Sequence, residues 1–177
     1  MLHKIKDLQG DAIHAEDGEV GSVDDLYFDD EDWDVRYLLV NTRRWIAGPK
    51  SGPKYLVSPI AIDRERPLDG GDIRVELTRE QISRCPTAAE ESHLRSSAEV
   101  IGCGIEAVDG TIGRVADLVV DDETWEITDV LVDSRTWLPG KLLLISPEVI
   151  ERIDWPEKKV HLRLAREDIL QAPEIRL

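Results

Sequence analysis

Residues 17–48 recur 92 positions later as residues 109–140, with 15 of the 32 aligned positions identical. Both copies retain an Asp-Gly pair, two tryptophans and an arginine at matching places, namely Asp17-Gly18, Trp33, Arg43 and Trp45, and Asp109-Gly110, Trp125, Arg135 and Trp137. Solenoids and propellers repeat every roughly 20–50 residues, whereas this spacing has the size of a small domain. The sequence therefore predicts one ancestral unit present twice.

Turn and strand signals repeat in the same order in both copies. The Asp-Gly pair favours a tight hairpin, and the apolar, β-branched runs at 35–40 and 127–132 are typical of strands. A capping-box sequence at Thr78 predicts a short closing helix in the first copy. The predicted fold is all-β, with two small antiparallel β-barrels in tandem, each ending in a short helix.

The duplication also sets the predicted domain limits. The first repeat is expected over 5–82, a linker over 83–96 and the second repeat over 97–170. The loop between two strands is four residues longer in the first copy. The two repeats are therefore expected to superimpose, with the largest difference at 48–54.

Composition narrows the classes of partner. The net charge of −15 disfavours nucleic acid and anionic lipid as direct ligands, because both are bound through basic surfaces. No apolar run approaches the length needed to span a bilayer, so direct membrane insertion is not expected. The first residues have no signal-peptide pattern. The expected location is cytoplasmic.

Residues that could bind a metal or catalyse a reaction are scattered. Cys85 and Cys103 lack a CxxC spacing, and the four histidines lack a second ligand at metal-binding distance along the chain. The acidic turn 29–32 lacks the glycine and spacing of an EF-hand and is interpreted as a solvated hairpin turn, with a weak cation site as the alternative. No catalytic residue, cofactor site or metal site is predicted.

Two repeated pairs are assigned structural roles. Asp25 and Asp117 fall inside strands, where aspartate is disfavoured, so they are expected to bind backbone amides or to mark a bulge. Trp33 and Trp125 directly precede apolar strands and are expected to pack in the core.

The other repeated pair combines arginine with tryptophan. Arg43 with Trp45, and Arg135 with Trp137, lie in loops and have the composition of an interface hot spot. The same composition would suit a loop folded onto its own barrel, or contact between the barrels. These four residues are the predicted protein-binding residues, and we expect replacement of both tryptophans to weaken association more than folding.

These motifs resemble the PRC-barrel family. The resemblance runs from Ala15 through Thr42 and from Ala107 through Ser134, each followed by a tryptophan loop and a Ser-Pro pair. More narrowly, it looks like bacterial proteins with two tandem PRC-barrels, in which a Ser-His-Leu-Arg-Ser element (92–96 here) opens the second copy. The family includes the cytoplasmic domain of the photosynthetic reaction-centre H subunit and the C-terminal half of a ribosome-maturation factor. The resemblance implies six-stranded barrels that bind proteins, and it implies no enzyme.

Three functional hypotheses follow. The first is a non-enzymatic adaptor or scaffold that binds an unidentified protein, with a homodimer as an alternative. The second is a sensor that binds a small molecule or cation in the cleft between the barrels. The third, from family analogy alone, is an accessory factor of a photosynthetic or other membrane-bound electron-transfer complex.

Overall fold

The computed structural model describes residues 1–42, 45, 53–66, 68, 71–134 and 141–175. Its strands are β1 (Leu2–Lys4), β2 (Ala12–Ala15), β3 (Gly18–Phe28), β4 (Val35–Asn41), β5 (Lys54–Val57), β6 (Asp72–Arg74), β7 (Arg95–Ser96), β8 (Gly104–Ala107), β9 (Gly110–Asp121), β10 (Ile127–Asp133), β11 (Leu142–Ile145), β12 (Ile150–Asp154), β13 (Lys159–Leu162) and β14 (Glu174–Ile175). Its helices are α1 (Ile5–Leu8), α2 (Arg79–Ile82), α3 (Ser97–Val100) and α4 (Arg166–Ile169), and two 3₁₀ helices span Pro59–Ala61 and Pro147–Val149.

The strands form two separate sheets, one for each repeat. The first has the order β5-β4-β3-β2-β6, and the second has the order β12-β13-β8-β9-β10-β11-β14. Neighbouring strands are antiparallel except β2 with β6 and β8 with β13, which are parallel. Helices α2 and α4 follow β6 and β13, as predicted, and in the second sheet the short strand β14 comes after α4 and pairs with β11. The predicted fold class is confirmed, while most of the loop expected to differ, 48–54, lies outside the described residues.

The repeats exchange strands. β1, which precedes the first repeat, pairs with β9 of the second sheet, with His3 opposite Val120. β7, which precedes the second repeat, pairs with β3 of the first sheet, with Arg95 opposite Phe28. These two pairings are equivalent under the 92-residue repeat, so each half of the molecule completes the other. The predicted domain limits stay a prediction, because strand pairing alone does not define them.

A pseudo-two-fold axis passes between the sheets at Asp34 and Glu126, which are repeat equivalents and form a bridge with each other. On either side of it, the Val35 amide donates to the Trp125 carbonyl at 2.8 Å and the Ile127 amide donates to the Trp33 carbonyl at 2.9 Å. Both tryptophans have left-handed backbones, with φ of 62° and 59°. This conformation is unfavourable for a bulky residue, and here it accompanies the hydrogen bonds that join the halves.

The predicted core role of the same tryptophans is confirmed. Trp33 is 8% exposed and Trp125 is 6% exposed. The Trp33 ring stacks on Phe28 with 5.1 Å between ring centroids. Trp33 and Trp125 belong to one hydrophobic cluster that contains residues of both repeats, so the two barrels share a continuous core.

Asp25 and Asp117 hold the exchanged segments. The carboxylate of Asp25 accepts hydrogen bonds from the Leu26 amide and from the Ser97 hydroxyl at the start of α3. The carboxylate of Asp117 accepts from the Leu118 amide at 2.9 Å and from the Lys6 amide in α1 at 3.3 Å. The strand register also shifts beside both residues. The predicted bulge and amide binding are confirmed, and the structure adds that each aspartate binds a helix that leads into the other repeat.

Burial gives these aspartates a pH-dependent effect on stability. It raises the pKa of both carboxyls above 3.8, although their hydrogen bonds oppose the rise. The native state then holds these protons to a higher pH than the unfolded chain does. Their contribution to the free energy of unfolding is therefore largest below the ordinary carboxyl pKa and declines as pH rises through the raised pKa.

We expect the stability difference between wild type and the Asp25→Asn, Asp117→Asn double variant to shift in favour of the variant as pH rises. Asparagine has no charge to bury, so only the wild type should show this dependence. Urea unfolding from about pH 3 to about pH 7 measures it, because the dependence begins near the ordinary carboxyl pKa of 3.8. A difference that is flat, or that shifts towards wild type, would contradict the raised pKa values.

Candidate functional site

A groove lies between the two halves of the molecule. One wall is the acidic turn of the first repeat (30–33), and the other is formed by β10, the 3₁₀ helix Pro147–Val149 and β12 of the second repeat. Its volume is about 770 Å³. We call this surface the larger groove. Its charged lining residues are Asp30, Glu31, Asp32, Glu126, Glu148, Glu151, Arg152 and Arg163.

The pseudo-two-fold axis generates a second groove from the equivalent elements. It is lined by residues 34–37, by Ser58, Pro59 and Ile60, and by Trp125 of the second repeat. Its volume is about 410 Å³, and we call it the smaller groove. Linker residues Glu91, His93 and Leu94 form a wall of it, whereas at the larger groove the linker residue Arg95 reaches the rim, where it contacts Asp30 and Trp155.

The linker is fixed in the smaller groove by both apolar and polar contacts. Leu94 is 5% exposed. Tyr37 interacts with the Glu91 carboxylate, and burial together with this negative charge raises the pKa of Tyr37. A short stretch of polypeptide therefore already packs in one of the two equivalent grooves.

The two grooves differ in charge. In the larger groove, six acidic residues and two arginines leave a net charge of −4. In the smaller groove, the barrel residues Asp34, Arg36 and Arg64 leave +1, and the linker residue Glu91 adds one negative charge. The difference arises where the repeats have diverged, as at Ile60 and its counterpart Glu148.

Several polar groups of the larger groove have no protein partner in the described part of the chain. The carboxylates of Glu126, Glu148 and Glu151 make no ion pair with any described residue. The Thr128 hydroxyl oxygen is buried and lacks a hydrogen-bond partner among the described residues.

The rim of the larger groove already holds one cation. The guanidinium carbon of Arg95 lies 4.2 Å from the ring centroid of Trp155, which lines the groove. The same guanidinium lies 3.8 Å from the carboxylate of Asp30 and 3.6 Å from that of Glu99. An aromatic face flanked by carboxylates is a favourable site for an arginine or lysine side chain.

Of the four residues predicted to bind protein, the structure describes Trp45, while Arg43, Arg135 and Trp137 lie outside the described residues. Trp45 is half-buried and packs against the hydrophobic core. The guanidinium carbon of Arg79, in the same repeat, lies 5.9 Å from its ring centroid. This contact favours the interpretation of a loop folded onto its own barrel, and binding by the four residues stays a prediction.

We expect Trp45→Ala to lower the free energy of unfolding by about 1–3 kcal/mol, because a half-buried indole loses part of the burial of a core tryptophan. Thermal melts measure stability, and size-exclusion chromatography measures association. Weaker association with an unchanged melting temperature would instead make Trp45 an interface residue.

The remaining sequence candidates have local structural partners. In the acidic turn, Asp29 and Asp32 accept hydrogen bonds from backbone amides two residues ahead, which confirms the predicted hairpin turn. Cys103 is buried and Cys85 half-buried, and burial raises the pKa of both thiols. Within the described residues, three or more His, Cys, Asp or Glu side chains nowhere converge as they would to hold a metal ion.

The sensor hypothesis named a cleft between the barrels, but sequence reasoning did not bring together the residues of the larger groove, because its walls come from segments that are distant in sequence. The sequence signal for this groove lay in positions at which the two copies differ, not in positions that they share. Trp155 is the one tryptophan of five without a counterpart in the other copy, and Glu148 replaces an isoleucine. Both residues line the groove.

The fold consists of two similar β-sheet domains joined by exchanged strands. Comparison with protein families agrees for the first half, where residues 2–82 match the model of the PRC-barrel domain. The second sheet contains the strand order of the first, with β11-β10-β9-β8-β13 matching β5-β4-β3-β2-β6, and adds β14 and β12 at its two ends, which is consistent with a second copy. No curated protein matches the sequence. Among the described residues, helices long and apolar enough to cross a membrane are absent.

Proposed function

We propose that this protein is a non-enzymatic protein-binding adaptor or scaffold built from two PRC-barrels, and that its partner binds in the larger groove. The observation that carries the proposal is the pair of equivalent grooves. One groove holds a segment of the chain's own linker, while the other, of about 770 Å³, has the linker residue Arg95 at its rim and no linker residue in its described lining. A surface whose twin packs against polypeptide is suited to a partner's polypeptide.

The strand exchange supports a binding role for this groove. Its two walls belong to different repeats, and these repeats are joined by β1, β7 and the hydrogen bonds around Asp34 and Glu126. A site whose walls are held in place before binding loses little conformational entropy when it binds. The larger groove is therefore preorganised.

We expect Glu148→Trp to abolish or strongly weaken partner binding, because an indole on this exposed position would fill the groove. The matched control is Glu16→Trp, which makes the same substitution at an exposed position outside the groove. Affinity purification from native cytosol with wild type and both variants, followed by reconstitution with the purified partner, measures the effect. If the partner binds all three proteins equally, the groove is not its site.

The sensor hypothesis places its ligand in the same groove. A pull-down with and without a chelator separates the two, since only a cation sensor should lose its partner when metal is removed. The finer relationship, to bacterial tandem PRC-barrel proteins and the reaction-centre H subunit, is proposed from the sequence resemblance. A role beside a membrane-bound electron-transfer complex also stays a prediction from that resemblance.

A further inference from the structure

We infer that the larger groove binds a cationic segment of a partner protein, an extended stretch containing lysine or arginine. This inference rests on the proposed function and specifies the chemistry of the partner. It follows from comparing the two grooves, because one of them is seen with polypeptide against it.

In the smaller groove, the charge of the barrel residues is opposite in sign to that of the linker segment beside them. Its barrel residues carry +1, and the linker segment that runs past it (87–94) contains two glutamates and no lysine or arginine. A mildly positive groove thus packs against an acidic segment. By the same matching, a groove of −4 suits a segment of positive charge.

Arg95 shows that the rim of the larger groove accepts a guanidinium. It lies between Asp30 and the face of Trp155 and offsets one of the groove's negative charges. Glu126, Glu148 and Glu151 lie further along the same surface, exposed and without an ion pair to any described residue. These three carboxylates are the ones available to lysine or arginine side chains of a partner.

The test uses the full-length protein and two fluorescent peptides taken from the linker. The first is the natural sequence Thr-Ala-Ala-Glu-Glu-Ser-His-Leu (87–94), and the second has both glutamates replaced by lysine. Fluorescence anisotropy is followed at low and physiological ionic strength. We expect the lysine peptide to bind at least about tenfold more tightly than the natural peptide, with affinity falling as salt rises.

Two triple variants with the same change in net charge separate the groove from general attraction to an acidic protein. The groove variant is Glu126→Lys, Glu148→Lys, Glu151→Lys, and the control is Glu16→Lys, Glu76→Lys, Glu167→Lys at exposed positions elsewhere. We expect the groove variant to lose binding of the lysine peptide and the control to keep most of it. Equal loss in both variants, or equal binding of both peptides to wild type, would overturn the inference.

The proposed function can survive that failure. If Glu148→Trp still removes a native partner while neither peptide binds with charge preference, the groove binds protein by other chemistry and only the inference is wrong. If Glu148→Trp removes no partner, yet the lysine peptide binds in the groove, the charge preference stands and the placement of the native partner in this groove is wrong.

Discussion

A Gly113→Ala variant is expected to lose about 4 kcal/mol or more of its free energy of unfolding, a loss large enough to prevent folding in many domains. A Cβ atom on Gly113 would lie 1.9 Å from the Asp133 carbonyl oxygen and 2.9 Å from its carbonyl carbon. Both are backbone atoms of β10, the strand paired with β9. Neither strand can move aside without breaking the ladder on which the second sheet depends.

The repeat provides a second example and the chain provides a control. In Gly21→Ala the new Cβ would lie 1.6 Å from the Asn41 carbonyl oxygen, so the same loss is expected in the first sheet. In Gly104→Ala the nearest atoms are 3.9 and 4.0 Å away, an ordinary contact, so the loss should stay within about 1 kcal/mol. Urea unfolding followed by circular dichroism measures all three. A Gly113→Ala protein as stable as Gly104→Ala would refute the close packing of β9 on β10.

Replacing Ile5 by alanine is expected to lower the free energy of unfolding by about 2–5 kcal/mol, because Ile5 is fully buried. The more specific expectation concerns where the loss occurs. Helix α1 contacts β3 of the first sheet and β9 of the second, and the hydrophobic core is continuous between them. Both halves should therefore be destabilised together, in a single unfolding transition.

Hydrogen exchange read by mass spectrometry tests this directly. In Ile5→Ala, amide protection should fall by the same factor in β3 and in β9. The control is Ile60→Ala, which removes an isoleucine side chain that is 80% exposed and should leave both strands unchanged. Loss of protection confined to one sheet would show that the repeats unfold independently.

Much of the fold could be predicted because the sequence contains two copies of the same unit, which can be compared with each other. Where the alternation of apolar and polar residues along a strand is ambiguous in one copy, the matching strand of the other copy resolves it, as with the bulge beside Asp25 and Asp117. The strand exchange could not be predicted this way. β1 and β7 are only three and two residues long, and nothing in Leu2–Lys4 indicates which sheet it joins. Pairing between such short strands depends on the tertiary positions of α1 and α3, which local patterns do not encode.

The candidate site was harder to predict for a related reason. Repetition draws attention to residues that both copies keep, such as Trp33, Trp125 and Trp45, and the first two proved to be core. The larger groove depends on residues that differ between the copies, including Thr128 and Glu148. Divergence carries information about a site only once the structure shows which diverged positions face each other.

The pseudo-two-fold axis at Asp34 and Glu126 has a consequence for how such a surface can evolve. In a homodimer of identical barrels, every substitution appears on both sides of the axis, so the two grooves would always share one composition. Fusion into a single chain removes that constraint. Position 60 can stay isoleucine while position 148 becomes glutamate, and one groove can be closed by the connecting segment while its twin acquires a different charge. Joining the barrels in one chain gives this protein two independently adjustable surfaces on one symmetric framework.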